Sequence, residues 1–228
     1  MAAIPTAWHV RPPASFDGKI RHMSRLGGGP PIYVSIDIEA SMDEVWRMTQ
    51  DTDLHPRWNA RFSSITPTAE LSGGGQRFRY ELRLPGHVLT GEGTSVGEKR
   101  RPDGSRTSAL RFATDDRLSP LGDGRGYWRY EPTPSGVRFT TGYNYRPGWG
   151  GLVDRLVLRR CVGWLTAWSF DRLRIWAERG QEPERWPLHS VLWWWRPERP
   201  RAARCRRRAS DGRVMDAAPA TLDELEAP

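Results

Sequence analysis

The sequence is poor in the features that most readily place a protein in a class. Its two cysteines, Cys161 and Cys205, cannot make a disulfide framework or a zinc site. A reducing cytoplasm is therefore the expected compartment. The five histidines (His9, His22, His55, His87, His189) never fall three or four residues apart, so a local histidine metal motif is absent. No metal and no cofactor is expected. No apolar run approaches the roughly 18–20 residues that a helical membrane span needs. The first residues lack a basic start followed by an apolar stretch, so a secretory leader is not expected. Met23, just ahead of the first ordered pattern, is an alternative start to Met1.

What is present is uneven. Hydrophobic residues make up only 37%, yet 12 of the 228 residues are tryptophan. Disordered chains are poor in aromatics, so this pairing implies a packed core plus polar segments that add nothing to it. The formal charge of +8 is also concentrated. Residues 31–180 carry a net +4, residues 185–208 a net +7, and residues 209–228 a net −4. The folded part therefore needs no polyanionic partner. Residues 1–30, with Pro12-Pro13, Gly27-Gly28-Gly29 and Pro30-Pro31, read as a disordered extension. Residues 181–228 read as a largely disordered tail, first Trp/Arg-rich and then acidic.

Between them the periodicity is regular. Ile32, Val34, Ile36 and Ile38 alternate with polar residues, which predicts a half-buried strand. Ser41 and Glu44 form a capping box for a short helix, and a second short helix ends near Trp58. Phe78, Tyr80, Leu82 and Leu84 alternate with charged residues and mark another strand. Strands follow over Val88–Val96, around Leu110 and Phe112, over Tyr127–Glu131, and over Val137–Arg146. Gly91 and Gly93 suit a bulge. From residue 149 to 179 apolar residues recur at three- and four-residue spacings, which predicts one long amphipathic helix capped by Gly180. The expected fold is α+β: a curved antiparallel sheet wrapped around a long C-terminal helix, with a cavity between them.

Three segments resemble the START-like, helix-grip superfamily, and within it the polyketide cyclase/dehydrase and lipid-transport group. They are Ile32–Glu39 running into Ala40–Trp46, then Asp51–Trp58 with its D-x-x-x-x-P-x-W pattern, and Phe170–Glu178. Ser41 stands where the family pattern has proline. The resemblance frames residues 31–180 and implies a pocket for an apolar or aromatic small molecule or a lipid. It carries no shared catalytic constellation. The cysteine and histidine spacings of Rieske and iron-binding relatives do not occur.

Candidate ligand-binding residues are Trp58, Tyr80, Phe112, Tyr143, Tyr145, Trp164 and Trp168. For the tyrosines, orienting a ligand and ordinary inward packing are both open. For the tryptophans, core packing is the default. Glu92 is the one weak catalytic candidate, because a carboxylate on the inner sheet face would have a raised pKa. A bulge at Gly91 and Gly93 would instead turn it to solvent. Asp154, Arg155 and Arg159 read as a wet helix face. In the tail, Trp193, Trp194 and Trp195 precede Arg204, Arg206, Arg207 and Arg208. That pairing suits peripheral contact with an anionic membrane; nucleic acid is the weaker partner. The leading expectation is binding or transfer of a hydrophobic molecule. A polyketide-type cyclase or dehydratase using the same cavity, and a protein acting through its Trp/Arg tail, are the alternatives.

Overall fold

Among the described residues, seven antiparallel strands form one sheet, with the first strand on one edge beside the last, and the second strand on the other edge. The computed structural model describes residues 29–71, 74–98, 101–209, 213–225 and 228. The expectation of a disordered extension therefore lies, apart from Gly29 and Pro30, outside the described residues. Strand β1 (Ile32–Ile38) leads into α1 (Met42–Gln50), whose Ser41 hydroxyl accepts the Glu44 N–H as the sequence predicts. Helix α2 (His55–Trp58) follows, then β2 (Ser64–Leu71), β3 (Gly75–Leu84) and β4 (His87–Glu98). Strands β5 (Arg106–Ala113), β6 (Leu121–Thr133) and β7 (Gly136–Pro147) complete the sheet.

Strand β2 is not visible in the sequence pattern. It is an edge strand in which only Ile65 is buried, so no alternation marks it. Pro67 sits there beside a register shift, where a missing N–H costs the ladder nothing.

The last helix, α3, is less simple than its periodicity suggests. It opens with one turn at Gly151–Val153, passes through a π-helical turn at Asp154–Leu158, and continues as Arg159–Arg179. Gly180, with φ of 63°, caps it as expected. The π turn pairs residues five apart. The buried Asp154 carboxylate accepts Arg159 Nε at 2.8 Å and the Tyr145 hydroxyl. The predicted wet face at Asp154 and Arg159 is thus a buried ion pair, because the π turn moves i,i+5 residues together. Arg155 remains exposed.

The largest departure is the tail. Residues 181–209 are not a loose extension; they strap α3 and reach the edge strand β1. Trp186, Ser190, Ala202 and Cys205 are buried there. Asp171, fully buried on α3, accepts Arg174 Nε at 2.7 Å, Arg204 Nη1 at 2.8 Å and the Arg201 backbone N–H at 2.7 Å. The strap then pairs with the free edge of β1, through two backbone bonds between Ser35 and Arg206. Closing an edge strand this way removes a template for aggregation. Residues 213–225 are also packed. Met215, Ala218, Leu222 and Leu225 cover Leu71, Val96 and Ala109 on the outer sheet face. Composition alone misleads here because the arginines of the strap have partners, among them Asp171 and Asp37.

Candidate cavity and its lining

The inner face of the sheet is built from large rings lying on glycines. Cross-strand pairing puts Gly91 opposite Tyr80, Gly93 between Phe78 and Phe112, Gly124 opposite Phe112 and Gly126 opposite Tyr143. A Cβ on Gly91 would lie 2.2 Å from the Tyr80 hydroxyl, on Gly93 2.4 Å from the Phe78 ring, and on Gly124 2.1 Å from the Phe112 ring. The rings therefore lie flat on the sheet rather than projecting from it. The predicted bulge at Gly91 and Gly93 does not exist; both sit in continuous register with β3, and Gly93 also with β5. Their task is to lower the floor of the concave face.

Above this floor lies a cavity of about 200 Å³. From the sheet it is lined by Phe78, Tyr80, Leu82, Leu89, Leu110, Phe112, Leu121, Trp128 and Tyr143. Val162 and Leu165 of α3 form the roof, with Arg61 and Phe62 from the segment after α2. Among the described residues, Arg61 is the one charged side chain in the lining.

Four of the cavity hydroxyls, those of Thr114, Ser119, Thr141 and Tyr143, are occupied. Thr166 gives its single proton to the Val162 carbonyl at 2.8 Å, so the Tyr143 hydroxyl donates to Thr166 Oγ1, also at 2.8 Å. Thr141 donates to the Tyr127 carbonyl, Ser119 to the Leu121 carbonyl, and Thr114 to the Thr90 carbonyl. Tyr80 makes a long contact of 3.4 Å to the Ala113 carbonyl. Burial pushes the Tyr80 pKa up to about 12, with the Asp123 charge adding to it, so this phenol stays protonated.

Beside the cavity sits a buried aromatic cluster. His55 stacks on Trp58 at 5.0 Å and meets Phe62 and Trp128 edge-on. Asn59 Oδ1 accepts both the backbone N–H and Nε of Arg61, which turns its amide nitrogen toward His55 Nε2 at 2.9 Å. His55 Nε2 is therefore an acceptor and Nδ1 carries the proton. Burial, reinforced by the Arg61 charge, lowers the His55 pKa to about 3.

A family model described as "Polyketide cyclase / dehydrase and lipid transport" matches residues 31–178. The chain belongs to this family. Among solved structures, its fold is similar to the di-domain aromatase/cyclase StfQ of the steffimycin biosynthetic pathway. The TM-score is 0.53 at 18% identity, over 69% of this chain and 53% of that one. It is also similar to the human StarD13 lipid transfer and protein localization domain, with a TM-score of 0.50 at 13% identity, over 71% and 95%. At these identities the likeness is one of fold: the START-like helix-grip fold. A Bacillus subtilis relative named as the uncharacterized membrane protein YndG is 38% identical over 168 residues, 72% of this chain. The match spans 63% of that relative's length.

In this polyketide cyclase/dehydrase and lipid-transport family member, the seven predicted ligand-binding residues divide. Tyr80, Phe112 and Tyr143 line the cavity. Trp58 is fully buried in the core, and its indole N–H donates to the Met48 carbonyl at 2.8 Å. Tyr145 lies under the π turn, bonded to Asp154. Trp168 is buried beneath the Arg172 guanidinium, 4.9 Å from its ring centroid, and Trp164 stacks beside it at 6.5 Å. All three of Tyr145, Trp164 and Trp168 lie outside the cavity lining.

Glu92 is exposed on the outer face opposite Arg79, because the inner parity of β4 belongs to Leu89, Gly91 and Gly93. In the tail, Trp193 is half-buried against Trp186 and His189, while Trp194 and Trp195 are exposed. Arg204 and Arg206 are tied to Asp171 and Asp37; Arg207 and Arg208 are exposed. Sequence reasoning did not find Arg61, Phe62, Leu89 or Trp128. For Leu89 and Trp128, strand parity relative to the inner glycines is the signal that would have found them.

Proposed function

We propose that this protein binds a hydrophobic small molecule or lipid in the cavity between sheet and α3, as a carrier or binding module. The observation that carries this reading is the roughly 200 Å³ cavity walled by aromatic and aliphatic side chains. Among the described residues, no Asp, Glu, His, Cys or Lys lines it. General acid–base work needs a group whose pKa lies near the working pH. The Tyr80 phenol at about 12 does not meet that need. This favours binding over a polyketide-type cyclase acting in the same space. Native mass spectrometry with lipid extraction tests the reading. An apolar molecule bound at one per chain supports it, whereas a protein that stays empty and takes up no apolar probe opposes it.

We further propose peripheral contact with an anionic membrane through the strap. The supporting observation is that the strap exposes both apolar side chains and arginines. Leu192 is 71% exposed, Trp194 78% and Trp195 58%, with Arg207 and Arg208 exposed. Tryptophan favours the interface, and each basic residue near an anionic surface adds about 1 kcal/mol. No helix among the described residues is long and apolar enough to cross a membrane. Flotation on phosphatidylserine-containing vesicles is expected to fall with Trp194→Ala/Trp195→Ala and with added salt. Flotation unchanged by both would oppose this contact.

A further inference from the structure

We infer that the cavity selects molecules bearing a single oxyanion head on an apolar body, and that Arg61 holds the head. This rests on the cavity being a binding site at all.

Of the groups lining the cavity, the hydroxyls of Thr114, Ser119, Thr141 and Tyr143 each give their proton to a protein acceptor. They offer a ligand lone pairs only. Tyr127 stands on the outer face, its hydroxyl bonded to the Val214 carbonyl at 2.8 Å. The donors that remain are the exposed Thr90 hydroxyl, the weakly held Tyr80 phenol, the Trp128 indole N–H and the Arg61 guanidinium, and only the last is charged.

Arg61 is also held in place. Its Nε donates to Asn59 Oδ1 at 3.1 Å, and its guanidinium carbon lies 5.3 Å from the Tyr143 ring centroid and 5.8 Å from that of Phe62. Asn59 is itself fully buried and fixed by His55. No ion pair to Arg61 exists among the described residues, although Arg57 pairs with Glu184 and Glu182 only four positions earlier. Both terminal nitrogens therefore keep their protons for another partner. A half-buried, aromatic-framed guanidinium with free paired donors matches carboxylate and phosphate geometry. A neutral lipid would cover this cation without pairing it, and a donor covered but unpaired costs free energy.

The test compares dodecanoate with methyl dodecanoate, and dodecyl phosphate with dodecanol, on the full chain at pH 7.5 by displacement of an uncharged fluorescent probe. A charge-assisted bond of this kind corresponds to about a 10- to 100-fold preference for each anion over its neutral partner. Arg61→Met is expected to erase that preference while neutral molecules bind as before, and Arg61→Lys to keep part of it. The two anions compared with each other distinguish a carboxylate from a phosphate head. Equal binding of anion and neutral partner by the unmodified protein overturns the role of Arg61 and leaves the cavity reading standing. Binding of none of the four overturns both. The comparison on the unmodified protein decides even if Arg61→Met does not fold.

Discussion

At the scale of single residues, burial decides what each polar group can do. His55 is the sharpest case. Its folded pKa of about 3 lies below the ordinary 6.5, so between those values the unfolded chain binds a proton that the native one refuses. Stability is therefore present above about pH 6.5 and drains away as pH falls toward 3, at up to about 1.4 kcal/mol per pH unit. Replacing His55 by Phe should flatten that part of the curve, measured by urea unfolding at pH 7, 5.5 and 4.5. An unchanged slope would mean that His55 titrates normally. The floor glycines make a second case. Gly124→Ala should cost about 1–3 kcal/mol by overpacking against Phe112, and Phe112→Leu in the same chain should recover part of the loss. Additive effects in that double-mutant cycle would deny the contact.

At the scale of elements, legibility follows from how burial is distributed along the chain. Strand β1 could be read because its apolar residues alternate and are buried, and β3 because Phe78, Tyr80 and Leu82 share the inner face. Strand β2 could not, since one buried residue in eight makes no period. The glycine floor was illegible for a different reason. Glycine carries no apolar signal, and its meaning appears only when a ring from the neighbouring strand lies across it. The π turn hid a buried ion pair, because helical spacing assigns residues five apart to different faces. The strap hid behind its arginines, whose partners lie up to 169 positions away in sequence. Asp171 is the hub of that strap, so Asp171→Asn should cost about 3–5 kcal/mol, as expected when one partner of a buried pair is removed. Limited proteolysis should then release residues 181–209 before the domain. Simultaneous loss of both would show that the strap is no separate element.

At the scale of the whole molecule, α3 packs against both the sheet and the strap, and the cavity lies between the sheet and α3. The resemblance at Ile32–Trp46, Asp51–Trp58 and Phe170–Glu178 marked the fold because those segments meet in the core. The cavity residues lie mostly elsewhere, on strands where the resemblance offered no motif. That is why three of seven predicted residues line the cavity, while Arg61 and Phe62, three and four positions beyond Trp58, fall outside every motif.

The most direct test of the cavity as a binding site is to fill it. Val162 and Leu165 point into it from α3, so Val162→Phe/Leu165→Phe should occupy the space with apolar atoms. Titration with an uncharged apolar fluorophore should show binding to the unmodified protein and at least about a tenfold loss in the filled variant, a difference of about 1.4 kcal/mol. The melting temperature should hold or rise, since filling a void restores packing contacts. Equal binding by the two folded proteins would contradict the account, because the probe would then be sitting somewhere other than between the sheet and the helix.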